Sequence, residues 1–202
     1  MTTEFLFLIL DLLGTLGFAI SGALAAKERE LDLFGVAIIA FLTACGGGIV
    51  RDICLGVFPP VGISYWPYLA IPLFATFTVL FFYNQIAKIK YPVLMFDAAG
   101  LSMFAVAGSQ KALYLGSNYQ VAIILGVLTA IGGGIIRDTL LSRIPVVLRK
   151  EVYGSAALIA ATIVSTFHYF ELDNTVGAWL GIIICFLIRY FSIKNKWNLP
   201  KF

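Results

Sequence analysis

Apolar residues run along this chain in blocks too long for strands, separated by short polar segments. A helix that crosses the hydrocarbon core of a bilayer needs about 20 mostly apolar residues. Seven stretches meet that need: 4–26, 33–57, 65–84, 92–113, 119–141, 151–169 and 175–192. The pattern predicts an all-α integral membrane protein with seven transmembrane helices in a single membrane domain, 1–202. The first block carries Glu4 and Asp11 and no basic leader, which predicts a retained span rather than a cleaved signal peptide.

Composition agrees. With 60% hydrophobic and 12% charged residues, there is too little polar surface to cover a soluble domain of this size. The net charge of +3 comes from basic residues on one side of the predicted spans. Lys27, Arg29, Lys88, Lys90, Arg143, Arg149 and Lys150 lie there, and the tail adds Arg189, Lys194, Lys196 and Lys201; the other side has only Lys111. The positive-inside rule then puts the N-terminus outside and the C-terminus in the cytoplasm. No basic stripe interleaves with aromatics, so nucleic acid is not an expected partner.

Two of the blocks contain the same costly feature. Thr43-Ala44-Cys45-Gly46-Gly47-Gly48-Ile49-Val50-Arg51-Asp52 recurs as Thr129-Ala130-Ile131-Gly132-Gly133-Gly134-Ile135-Ile136-Arg137-Asp138. Each glycine weakens a helix interior by about 1 kcal/mol relative to alanine. A charge at the bilayer centre costs at least about 2.5 kcal/mol. The 86-residue offset between the copies also aligns Asp11 with Asp97, Gly14 with Gly100, Phe18 with Phe104, Gly22 with Gly108 and Pro59 with Pro145. The chain thus divides into a three-helix repeat over 4–84, a second over 92–169, and a seventh helix, 175–192, read as an appended structural helix. An odd number of spans per unit inverts the second copy, an architecture that places substrate or ion sites near the midplane.

At a rise of about 1.5 Å per residue, Asp11 and Arg51 both lie roughly 10 Å below the outer surface and are candidates to pair. Inversion puts Asp97 and Arg137 at similar depth on the cytoplasmic side, with Asp52 and Asp138 completing two charged clusters. Four carboxylates against two arginines give an interior about two charges negative, which favours cations. These residues have two readings, ion pairs that hold the bundle and charges that line a pathway. The triplets Gly46–Gly48 and Gly132–Gly134, with Thr43 and Thr129, also have two. They let helices approach closely, or they unwind and bend, with freed carbonyls holding a monovalent cation near Gly46 and Gly132.

Arg149, Lys150 and Glu151 open the sixth span at the cytoplasmic surface, as a basic anchor or as a gating or lipid-contacting charge. Cys45, Cys54 and Cys185 read as small buried apolar residues without metal-ligand spacing, and His168 as a solvated loop residue. Neither triplet is followed by Gly-Lys-Ser/Thr, no Gly-x-Gly-x-x-Gly opens a helix after a strand, and no Cys-His pair is supported. The expectation is no enzyme and no cofactor.

Two tandem units, each with Gly-Gly-Gly-Ile-x-Arg-Asp in its second helix, together with Lys150-Glu151-Val152 and a seventh helix, resemble the prokaryotic TRIC (trimeric intracellular cation) channel family. The resemblance implies a homotrimer in the plasma (inner) membrane of a prokaryote, with a pore in each protomer, kinked at the glycine triplets, that conducts potassium and other monovalent cations. It also implies membrane lipids as partners, since Lys150 matches the lipid-binding or gating lysine of animal members. The bacterial branch is described as well as glycine transporters. A secondary transporter of glycine or another small neutral amino acid is thus one alternative, and a non-conducting structural or regulatory membrane protein is another.

Overall fold

The structure, a computed structural model, describes residues 3–89, 91–149 and 152–197, with side chains from residue 8 onward. Among the described residues it is wholly helical: α1 Thr3–Lys27, α2 Leu33–Cys54, α3 Val61–Ser64, α4 Pro67–Ile86, α5 Pro92–Tyr114, α6 Tyr119–Leu140, α7 Val146–Arg149, α8 Gly154–Tyr169 and α9 Asn174–Asn195. Six are long and apolar enough to cross a membrane. The seventh, α8, has 16 residues and rises about 24 Å, short of the roughly 30 Å hydrocarbon core. It begins at Gly154 after a turn at Val152 and Tyr153; the expected start at 151 lies outside the described residues. Protein surrounds much of α8, whose Ala156, Ala157, Ala160 and Ala161 are buried where it meets α5, α6 and α9.

The centre is built from helices packed on their counterparts at the 86-residue offset, α1 on α5 and α2 on α6. Gly14 of α1 meets Phe104 of α5, Gly17 meets Gly100, and Ser21 Oγ donates to the Val93 carbonyl at 3.0 Å. One sequence number falls as the other rises, so α1 and α5 run antiparallel. Local signals repeat as well. The Asp32 carboxylate caps α2 by accepting from Gly35 N at 2.7 Å, and Asn118 caps α6 by accepting from Val121 N at 2.9 Å. Left-handed turns fall at matching positions, Glu30 (φ 58°) with Gly116 (φ 78°) and Gly56 (φ 72°) with Ser142 (φ 53°).

The backbone is not unwound at the glycine triplets. Both α2 and α6 continue as α-helix through them. The glycines serve a helix crossing instead: a Cβ on Gly47 would overlap the Thr129 carbonyl oxygen, and one on Gly133 the Thr43 carbonyl oxygen. Backbone thus touches backbone, and each carbonyl stays in its own helix. Gly46 faces the Ile136 side chain and Gly132 lies against Gly47, so the carbonyls expected to be free for a cation near Gly46 and Gly132 sit in packed helix. Thr43 and Thr129 lock in beside them, each donating its hydroxyl at 2.6 Å to the carbonyl four residues back. Cys45 and Cys185 are buried as expected, but Cys54, the last residue of α2, is exposed.

Candidate functional site: two charged clusters

The third glycine of each triplet faces a charged cluster. In the first, Arg51 Nη1 lies 3.4 Å from Asp11 Oδ1 and its Nε 2.8 Å from Asp52 Oδ1. The second repeats this, with Arg137 Nη1 2.6 Å from Asp97 Oδ1 and Nε 2.8 Å from Asp138 Oδ1. All six side chains are buried. Charges taken so far out of water persist only when paired and hydrogen-bonded, and each aspartate of an Arg-Asp pair has a further partner. Asp52 Oδ2 accepts from Val61 N and Asp138 Oδ2 from Val146 N, both at 3.0 Å. One carboxylate thereby fixes its arginine and fastens the short helix that follows, α3 or α7.

Two tyrosines complete the arrangement. Tyr68 donates its hydroxyl to Asp11 Oδ2. Tyr153 brings its hydroxyl to the space over Gly134, where Asp97 also points. These residues are 85 apart rather than 86, because the connection after the second Arg-Asp pair is one residue shorter, which hides the match from an ungapped alignment.

The clusters differ in their cations. Lys111, expected as a lone basic residue on the outer side, reaches inward and places Nζ 2.7 Å from Asp52 Oδ1. The first cluster is therefore formally neutral and the second one charge negative, and with Arg189 also buried the interior as a whole balances rather than carrying two negative charges. Among the described residues the second has no lysine, and Ala25 stands at the position matching Lys111; there Arg137 Nη1 donates to Ser21 Oγ at 2.7 Å.

Space differs accordingly. Beside the first cluster lies a cavity of about 10 Å³, among Asp11, Gly48, Arg51, Tyr68 and Phe104, room for about one water. The second borders an open vestibule of about 420 Å³, lined by Arg137, Asp138, Tyr91, Val93, Glu28 and Arg143, with Arg143 Nη2 3.3 Å from Glu28 Oε2. Asp11 and Ser21, which mark the two clusters on α1, are about 15 Å apart along the helix. Between them Phe18 and Phe104 meet edge to face, ring centroids 5.2 Å apart, both buried.

Other expected residues lie elsewhere. Arg149 is exposed at the end of α7, and Lys150 and Glu151 lie outside the described residues. His168 and Lys88 are exposed. Arg189, read as part of the basic tail, is fully buried inside α9. Lys111, Tyr68, Tyr153 and Ser21 carry no motif; the sequence signal for the tyrosines is the one-residue shift.

Comparison with known proteins agrees with this architecture. The family model described as "Glycine transporter" matches residues 8–84 and again residues 94–169. A UPF0126 membrane protein of Vibrio cholerae is 37% identical over 99% of this chain and 84% of its own length. The UPF0126 inner membrane protein YadS of Escherichia coli K12 is 34% identical over 96% of this chain and 94% of its own. Among solved structures, the TRIC trimeric intracellular cation channel orthologue from Rhodobacter sphaeroides superposes with a TM-score of 0.89 at 36% identity, covering 95% of this chain and 99% of that one. A structure from work on conductance through TRIC cation channels gives 0.88 at 32% identity over 100% and 98%. Whole-length sequence identity, the twice-matched repeat and the shared fold converge, and the chain belongs to the prokaryotic TRIC channel family, which includes the UPF0126 membrane proteins.

Proposed function

We propose that the protein is a monovalent cation channel, conducting chiefly potassium along a path through each protomer that joins the two charged clusters, and that the structure is a closed state. The observation that carries this reading is the pair of matching clusters at opposite ends of one helix core, one open to a 420 Å³ vestibule and the other filled by Lys111. Asp11, Asp52, Asp97 and Asp138 supply the negative field that favours cations, while Arg51 and Arg137 hold those carboxylates in register. Lys111 closes the first end, and the Phe18–Phe104 contact is an apolar constriction between the clusters. The glycine crossing is where α2 and α6 bend or slide when the path opens, since Gly47, Gly132 and Gly133 bring backbone against backbone there.

The name of the solved relatives supports a homotrimer with one path per protomer. That of the Escherichia coli relative supports the inner membrane, and the bias of basic residues supports an outer N-terminus, with the vestibule facing the cytoplasm. The two family-model matches support descent from a duplicated three-helix unit.

A second reading, secondary transport of glycine, is favoured by the description of the matching family model and by the same asymmetry, because a site shut on one side and open on the other also suits alternating access. Single-channel recording in planar bilayers under a potassium gradient separates the two. Discrete cation-selective openings without glycine support the channel. Electrical silence with saturable glycine uptake into liposomes replaces it by the transporter.

A further inference from the structure

Tyr68 and Tyr153 hold matching places but are secured differently. The hydroxyl of Tyr68 is tied to Asp11. That of Tyr153 lies against Asp97 without a well-formed hydrogen bond, and Asp97 Oδ2 is likewise unpartnered. What touches Tyr153 instead is Arg189 of α9, with its guanidinium carbon 4.6 Å from the ring centroid. Arg189 is 0% exposed, and among the described residues none of its three side-chain nitrogens has a hydrogen-bond partner. A desolvated guanidinium gains from an aromatic face, but that contact leaves its in-plane N–H groups unsatisfied. Such a charge is costly for a helix that has only to fill space.

We infer that Arg189 is a positioning residue for a gate at the second cluster, holding the Tyr153 ring over Gly134 and Asp97 through the cation–π contact. This rests on the channel reading and extends it, giving α9 a part in gating beyond that of an appended helix. Tyr153 fills the space over the third glycine of its triplet: a Cβ on Gly134 would stand 2.8 Å from the Tyr153 hydroxyl and 3.7 Å from Asp97 Oδ1. With the ring in place, Asp97 has Arg137 as its cation and is covered from the α9 side. When the ring swings away, Arg189 loses its cover and Asp97 gains an open oxygen to offer a passing cation. At the other end Lys111 and the Tyr68–Asp11 bond do the equivalent work by direct pairing. The two ends therefore open by different local events.

The test compares Arg189→Met, Arg189→Lys, Tyr153→Leu and the double variant Arg189→Met/Tyr153→Leu in the full-length protein, each checked for the oligomeric state of the wild type. In single-channel recordings, Arg189→Met and Tyr153→Leu should each raise open probability about tenfold with unitary conductance unchanged. The double variant should go no further, and Arg189→Lys should recover at least half of the lost closure. An unchanged open probability in a correctly assembled Arg189→Met, or additive effects in the double variant, would overturn the inference.

A second measurement does not depend on conduction. Ser21 Oγ is 2.7 Å from Arg137 Nη1, so Ser21→Cys, in a chain whose other cysteines are replaced by alanine, reports access to the second cluster. Its labelling by a small cationic methanethiosulfonate should quicken at least severalfold when Arg189→Met is added; equal rates sink the inference. A wild-type protein that passes no current counts against the channel reading, and the labelling result still decides the role of Arg189.

Discussion

Lys111 sets its ammonium 2.7 Å from Asp52, while Ala25 occupies the matching place in the other repeat. The two otherwise similar clusters are thus unequal, one neutral and beside a cavity of about 10 Å³, the other one charge negative and open to a vestibule. If Lys111 is what closes the first end, removing its charge should open that end. Lys111→Gln is expected to raise potassium efflux from proteoliposomes about tenfold, and Lys111→Arg, which keeps the charge, should stay well below that. Equal efflux from Lys111→Gln and the wild type would remove Lys111 from the gate.

The arginines predict a stability effect separable from conduction. Removing one partner of a buried ion pair costs about 3–5 kcal/mol because it strands the other charge. Arg137→Ala strands two, Asp97 and Asp138. Thermal unfolding in detergent should show a large loss for Arg137→Ala and Arg51→Ala and none for Lys88→Ala, whose lysine is exposed. The Arg51 variant should lose less than the Arg137 variant, since Lys111 remains to hold Asp52.

Much of this site was legible in the sequence, for a physical reason. Charges and glycines inside membrane spans are expensive, so a duplicated Gly-Gly-Gly-Ile-x-Arg-Asp stands out, and a fixed offset finds Asp11 and Asp97 without a structure. The same logic fails where the two copies differ. Lys111 has only Ala25 as its counterpart, Tyr153 is displaced by one residue, and Arg189 merges into the basic run of Lys194 and Lys196. Of the two readings open for the glycines, close approach holds and unwinding does not, for another reason. Their helical cost is set by propensity in isolation, whereas here the close crossing of α2 and α6 offsets it and keeps both helices intact.

That crossing makes the three glycines of one triplet unequal. A Cβ on Gly47 would overlap a backbone carbonyl that has no room to shift, while one on Gly48 would meet Arg51 Nη2 at 3.6 Å, an ordinary contact. Overpacking of this kind costs about 1–3 kcal/mol. Gly47→Ala and Gly133→Ala should therefore each lower the melting temperature clearly, with Gly48→Ala near or above the wild type because alanine is the better helix former. A loss at Gly48 equal to that at Gly47 would point to kinking rather than crossing as the role of the triplet.

The left-handed turns give the last prediction, because each repeat solves the same turn with a different residue. Gly56 and Gly116 adopt positive φ without penalty, but their counterparts Ser142 (φ 53°) and Glu30 (φ 58°) carry side chains there. The left-handed region costs a non-glycine residue about 1–2 kcal/mol, and glycine gives part of that back through the greater freedom of the unfolded chain. Both residues are exposed, and among the described residues neither side chain is shown in a hydrogen bond or ion pair. Ser142→Gly and Glu30→Gly should each raise the thermal midpoint by an amount equivalent to about 0.5–1 kcal/mol, and their effects should add because the turns belong to different repeats. Conduction should be unaltered, since neither residue touches a cluster. A drop in the midpoint of either variant would mean that its turn is not left-handed in the membrane.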